Sequence, residues 1–82
     1  MNTAGTLERR LGAILVRQLK LADTSTLLPG ASLSDVGLDS LGMLAFIAGI
    51  EREFGVSVSD RDYEELETFG DAVTLVARLA RG

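Results

Sequence analysis

The sequence lacks histidine and cysteine, and only four of its 82 residues are aromatic, namely three phenylalanines and one tyrosine. Without cysteine the chain cannot form a disulfide, a thiol nucleophile or a thiolate metal site, and this fits a cytoplasmic protein, which is the location we expect. Without histidine a Ser-His-Asp catalytic triad is excluded. Because aromatic side chains are scarce, aliphatic residues must fill the interior, which favours a small helical bundle over a sheet protein.

Long hydrophobic runs and an excess of positive charge are also missing. The longest apolar stretch, residues 41–50, contains two glycines and is shorter than the roughly 18 residues of a transmembrane helix. The N-terminus has no basic segment followed by an apolar one, so we expect no secretory signal. The net charge is −4, and such a chain repels nucleic-acid phosphates. We therefore expect neither membrane insertion nor nucleic-acid binding; the acidic surface suits a basic protein partner or serves only solubility.

What the sequence does contain is the spacing of hydrophobic residues that is typical of amphipathic helices. It predicts a first helix at about residues 4–20, a second at about 40–54, a short third at about 60–66 and a fourth at about 69–80. Residues 21–39 are rich in serine, threonine and glycine and hold the single proline, so we predict a long loop there. Because leucines recur along this loop, we expect it to be anchored to the core.

The predicted fold is therefore all-α: a four-helix bundle of three principal helices and one short helix, in one domain that spans residues 1–82. Residues with capping chemistry support the boundaries of these helices. Asp39 is the predicted N-cap of the second helix and Gly55 is its C-terminal stop. Thr68 and Asp71 have the spacing of a capping box before the fourth helix.

Ser40 lies at the predicted start of the second helix, directly after Asp39. A serine nucleophile needs a base to remove its proton, and the chain offers only an exposed carboxylate at Asp39 or its single lysine, Lys20. We therefore predict no catalytic residue and no enzymatic activity. Taken alone, Ser40 is best explained as a residue that caps a helix.

The residues around Ser40 resemble the acyl carrier protein family. Residues 37–41, Gly-Leu-Asp-Ser-Leu, are similar to the Gly-x-Asp-Ser-Leu segment at the start of the family's second helix. Leu33 stands in the position of the family's buried loop anchor, and residues 50–60 resemble the end of its second helix with the Phe-Gly step that follows. Thr68 lies where the family's fourth helix begins, so the resemblance covers about residues 7–80.

The resemblance implies that Ser40 carries 4′-phosphopantetheine, transferred from coenzyme A by a phosphopantetheinyl transferase that recognises Asp39 and Leu41. A helix N-terminus suits the phosphodiester, because its N–H groups lack partners and its dipole end is positive. The thiol of the arm would hold an acyl or aminoacyl group as a thioester. Further implied partners are a loading enzyme (a ligase, an adenylating enzyme or an acyltransferase) and a downstream synthase or transferase. We expect the carrier to be a monomer.

The second helix departs from fatty-acid carriers, which present acidic residues immediately after the serine-leucine pair. Here acids return only at Glu51 and Glu53, and small residues follow one face of the helix: Gly42, Ala45, Ala48 and Gly49. We interpret this face as a docking surface with exposed Met43 and Leu44 as anchors; the alternative is that it lets a loop or the first helix approach closely. The predicted recognition residues are thus Asp39, Leu41, Met43, Leu44, Ala45, Ala48 and Glu51. This departure favours a free-standing carrier of polyketide or nonribosomal peptide biosynthesis.

The acidic residues after the second helix lack the loop of about 12 residues with a central glycine that defines an EF-hand, so we predict no metal site. These residues are Asp60, Asp62, Glu64, Glu65 and Glu67. The competing interpretation of the whole chain is a helical protein-interaction module that carries nothing. Such a module would tolerate Ser40→Ala, whereas a carrier would lose all function.

Overall fold

The computed structural model describes residues 3–81 and confirms the predicted all-α class. Its helices are α1 (Thr3–Leu19), α2 (Leu33–Val36), α3 (Ser40–Phe54), α4 (Asp60–Glu64) and α5 (Phe69–Arg81). Within residues 3–81 the only β-type pairing is an isolated antiparallel bridge between Ser32 and Thr68. No helix in this described part combines the length and apolar character that crossing a membrane requires.

The structure adds a one-turn helix, α2, inside the segment that the sequence predicted to be a loop throughout. The Ser32 hydroxyl caps α2 by accepting a hydrogen bond from the Asp35 N–H at 3.4 Å. Gly37 ends it with φ at 130°, a backbone conformation that favours glycine. A helix of four residues is too short to produce a periodic hydrophobic pattern, which is why the sequence did not reveal it.

The core lies where α1, α3 and α5 pack against one another. The helical spacing predicted this, because residues three and four apart share a face. Phe46 and Ile50 of α3 are fully buried, while Ile47 and Phe54 are partly buried against the core. Other fully buried side chains are Leu11, Leu15, Leu33 and Val76.

The segment between α1 and α3 is anchored to the bundle by leucines and backbone hydrogen bonds. Leu33 is only 1% exposed, and its N–H donates to the Glu67 carbonyl oxygen at 2.9 Å. The Phe69 N–H donates to the Ala31 carbonyl oxygen at 2.9 Å, which ties the segment to the start of α5. These contacts place the residues before Ser40 on a fixed support.

Helices α1 and α3 run antiparallel, as three contacts along their length show. Arg10 in the middle of α1 pairs with Glu53 near the end of α3, with 2.9 Å between Nη2 and Oε2. Near the other end of the pair, Gln18 Nε2 donates to the Gly42 carbonyl oxygen at 2.8 Å. Between these two contacts, a Cβ at Gly49 would lie 3.3 Å from Cγ2 of Ile14, so the two helices approach closely there.

Candidate functional site

Ser40 is the first residue of α3 and is exposed to solvent. Asp39 before it is the N-cap, as predicted: its Oδ1 accepts a hydrogen bond from the Gly42 N–H at 2.7 Å. The Asp39 carbonyl oxygen accepts from the Met43 N–H at 2.8 Å. Asp39 therefore secures the first turn of α3 and presents the neighbouring hydroxyl on a rigid helix end.

Two backbone N–H groups beside the Ser40 hydroxyl remain available to a ligand. The first N–H groups of a helix have no acceptor within it, and here the Asp39 carboxylate satisfies that of Gly42. The N–H groups of Ser40 and Leu41 have no acceptor among the described residues. Together with the positive end of the helix dipole, they fit a phosphodiester attached to the hydroxyl.

The Ser40 hydroxyl has no arrangement around it that would activate it as a nucleophile. The adjacent Asp39 carboxylate accepts the Gly42 N–H, and the chain contains no histidine. The local geometry therefore suits a serine that another enzyme modifies.

Exposed apolar side chains lie immediately after Ser40. Leu41 is 77% exposed and Leu44 is 57% exposed. Ala45 and Ala48 on the same helix are also exposed. The structure thus places these four predicted recognition residues on the solvent-facing surface of α3.

Two other predicted recognition residues have structural contacts that the sequence did not reveal. Met43, predicted to be an exposed anchor, is half-buried and packs against the core. Glu51, predicted to be a recognition residue, accepts the Val58 N–H at 2.8 Å and so fixes the segment between α3 and α4. The predicted exposure of Met43 was wrong, because hydrophobic periodicity alone does not show which face of a largely apolar helix packs against the core.

The sequence left two interpretations open for the small residues of α3: close packing against other elements, or a docking surface. Different residues fit each interpretation. A Cβ at Gly42 would lie 3.0 Å from Asp39 Oδ1 and 3.2 Å from Leu38 Cδ2, and Gly49 lies against Ile14 of α1. Gly42 therefore lets the preceding residues pack closely against α3, and Gly49 lets α1 do so. Ala45 and Ala48 face solvent and remain candidates for partner contact.

One of the acidic residues near α4, Asp62, has a structural role. This side chain is 8% exposed, pairs with Arg78 at 2.9 Å and accepts the Ser59 N–H at 3.2 Å. The Arg78 hydrogen bond is the main cause that holds the pKa of Asp62 below its ordinary value of 3.8, and the Ser59 N–H contributes further. No group of three or more acids in the described part of the chain is placed to hold a metal ion.

Sequence reasoning missed two clefts that border α3. A cleft of about 390 Å³ is lined by Leu38 and Met43, on either side of Ser40 in sequence, and by Tyr63. A second cleft, of about 580 Å³, lies between α1 and α3 and is lined by Arg17 and Arg52, among others. Neither has a local sequence pattern, since each is formed by elements distant in the chain.

Comparison with known proteins agrees with this arrangement. The family described as "Phosphopantetheine attachment site" matches residues 9–79, which is most of the chain. The fold is similar to that of an acyl carrier protein from Thermotoga maritima, whose crystal structure was determined at 2.00 Å resolution. The TM-score is 0.82 and the identity 17%, over 95% of this chain and 91% of that one.

Domains of this family are carriers for 4′-phosphopantetheine, which agrees with the prediction that the protein is not an enzyme. Transferases modify such carriers, and other enzymes then act on what the carriers hold. The prosthetic group supplies the thiol that this cysteine-free chain lacks. The match along residues 9–79, the helical fold and the exposed serine at a helix N-terminus lead to one conclusion: the chain belongs to the phosphopantetheine-attachment family, and it has the fold of an acyl carrier protein.

Proposed function

We propose that Ser40 is the attachment residue and that the protein carries acyl or aminoacyl groups as thioesters for the enzymes of polyketide or nonribosomal peptide biosynthesis. The observation that carries the assignment of Ser40 is its position: an exposed hydroxyl on the first residue of α3, beside the unpaired N–H groups of Ser40 and Leu41. Leu41, which is 77% exposed, stands next to it and offers the transferase an apolar contact.

The residues before and after Ser40 have distinct roles in this proposal. Asp39 holds the helix end and adds a negative charge that a transferase can read. Leu44, Ala45 and Ala48 form an apolar surface for the loading enzyme and the downstream synthase or transferase. The assignment to a specialised pathway is supported by the first three turns of α3, residues 40–50, which contain no acidic residue.

The attachment residue is tested by intact-mass measurement after incubation with coenzyme A and a promiscuous phosphopantetheinyl transferase. We expect the wild-type chain to gain one phosphopantetheinyl group and Ser40→Ala to gain none. Serine occurs at several other positions, including exposed Ser34 and Ser57, so Ser34→Ala and Ser57→Ala are matched controls that should gain the group normally. Modification of Ser40→Ala, or no modification of a folded wild-type chain, would reject the assignment.

The apolar surface of α3 is tested by loading of the modified protein with its own partner enzyme. We expect Leu44→Arg and Ala45→Glu each to slow loading, because each puts a charge where the partner excludes water. Leu28→Arg and Ala80→Glu make the same chemical changes at exposed positions outside α3 and should load at the wild-type rate. Unchanged loading of both α3 variants would refute this role for the surface.

A further inference from the structure

The cleft between α1 and α3 has an apolar centre and charged surroundings. Ile14, Ala45 and Gly49 provide its apolar lining, and Arg17, Arg52 and Glu53 provide its charged lining, around a volume of about 580 Å³. Gly49 has no side chain and Ala45 has only a methyl group, so neither fills the space that borders them. The cleft is therefore open to another chain.

The charge of this cleft is opposite to that of the protein as a whole. Glu53 is neutralised by Arg10, whose guanidinium donates to its carboxylate at 2.9 Å and also lies 4.4 Å from the centre of the Phe54 ring. Arg17 and Arg52 form no ion pair with any described residue. The cleft thus presents two unpaired positive charges on a chain whose net charge is −4.

The positions of the two arginines define the spacing that a ligand must match. Arg17 lies one turn after Ile14 on α1, and Arg52 lies one turn after Gly49 on α3. Because the helices are antiparallel and Ile14 faces Gly49, the two arginines lie on opposite sides of that contact. Three residues on each helix separate an arginine from that contact, so their backbones lie about 9 Å apart along the axis.

We propose that this cleft binds an acidic helix of a partner protein. Two carboxylates about seven residues apart on that helix pair with Arg17 and Arg52. Aliphatic or small residues between those carboxylates lie against Ala45 and Gly49. The inference deepens the proposed function and rests on it in one respect: the partner is an enzyme that uses the arm at Ser40.

Two further features favour this occupant. At physiological ionic strength charges are screened beyond about 8 Å, so the arginines that line the cleft act on a partner seated there more strongly than charges farther away. The cleft also extends beside Gln18, which contacts Gly42, two residues from Ser40. A partner seated in the cleft is therefore held close to the attachment residue.

The test uses the full-length, isotopically labelled protein and two helical peptides of about 18 residues, long enough to populate a helix. The acidic peptide has two glutamates seven residues apart on one face, with alanine and leucine between them, and the control peptide has glutamine at both positions. Binding is followed by the amide chemical shifts of wild-type protein, of Arg17→Gln/Arg52→Gln and of Arg61→Gln/Arg81→Gln. The last variant removes the same charge at exposed arginines outside the cleft.

We expect the acidic peptide to shift amides of residues 14–18 and 45–53, and the glutamine peptide to bind more weakly. Loss of two exposed ion pairs should raise the Kd of Arg17→Gln/Arg52→Gln about fivefold, and added salt should weaken wild-type binding. The proposal is overturned if the two double variants behave alike, if both peptides bind equally, or if the shifts lie elsewhere.

The proposed function is judged separately by the mass gain at Ser40. Arg17→Gln/Arg52→Gln should still gain the phosphopantetheinyl group. Peptide binding that fails while Ser40 is modified rejects only the docking cleft. A Ser40 that is never modified rejects the attachment residue, whatever the peptides do.

Discussion

Asp39 combines two tasks that a pair of substitutions should separate. Its carboxylate accepts the Gly42 N–H at 2.7 Å, which caps α3, and its charge lies next to the serine that we propose to be modified. Asp39→Ala removes both the hydrogen-bond acceptor and the charge. Asp39→Asn removes the charge but retains a side-chain oxygen that can accept the same N–H.

The expected magnitudes follow from these contacts. Loss of an N-cap acceptor costs about 1 kcal/mol, and loss of a negative charge at an exposed helix N-terminus costs roughly 0.3 kcal/mol more. Asp39→Ala should therefore lower the free energy of unfolding by about 1.3 kcal/mol, and Asp39→Asn by about 0.3 kcal/mol. For a domain of this size, each 1 kcal/mol lowers Tm by about 4–8 °C.

The assay pairs urea denaturation, followed by circular dichroism, with the rate of Ser40 modification at a temperature where every variant is folded. If the transferase reads the charge, the rates of both variants fall together although their stabilities differ. Equal stability of the two variants would refute the capping argument. A rate that falls only for Asp39→Ala would show that Asp39 acts through the helix end and not through its charge.

The remaining predictions concern the stability of the bundle. The pKa of Asp62 is lowered in the folded state, so its contribution is present above the ordinary value of 3.8 and is lost as the pH falls through the lower folded value. Arg78→Ala should therefore lower the free energy of unfolding at pH 7. It should also make that free energy fall less steeply as the solution is acidified, and an unchanged pH dependence in urea titrations would contradict this. Leu33→Ala should cost about 2–5 kcal/mol because the side chain is buried, against less than about 0.5 kcal/mol for exposed Leu28→Ala, and similar urea midpoints would refute the anchoring role. Gly70→Ala should destabilise, although alanine favours helix by about 1 kcal/mol, since its Cβ would lie 2.8 Å from the carbonyl oxygen of the single proline; a raised Tm would contradict that reasoning.

Helix ends were the most predictable part of the structure. Asp39 caps α3, and Gly55 ends it in the left-handed region with φ at 66°. Thr68 and Asp71 exchange hydrogen bonds as a capping box, with 3.1 Å from the Asp71 N–H to the threonine hydroxyl and 2.9 Å for the return bond. Each of these features depends on residues no more than four apart, so the sequence contains the whole interaction.

The candidate site was predictable in part for the same reason. The residues that form it, Asp39, Ser40 and Leu41, are consecutive in the chain. Their motif, together with the order and spacing of the predicted helices, indicated a carrier protein. The orientation of α3 was less predictable, since its apolar residues occupy most of its circumference. Met43 consequently turned out half-buried, and Glu51 bonded to the Val58 N–H.

The sequence by itself determined the helical class, the capped ends of α3, the start of α5 and the placement of Ser40 at a helix N-terminus, because short-range hydrogen bonds and the period of the hydrophobic residues control these features. Tertiary structure alone decided which small residues of α3 pack against α1 and which face solvent. It also brought Arg17 and Arg52, 35 positions apart in the chain, to one cleft. That pairing depends on the antiparallel packing of α1 and α3, and packing between distant segments follows from how the entire core fills space.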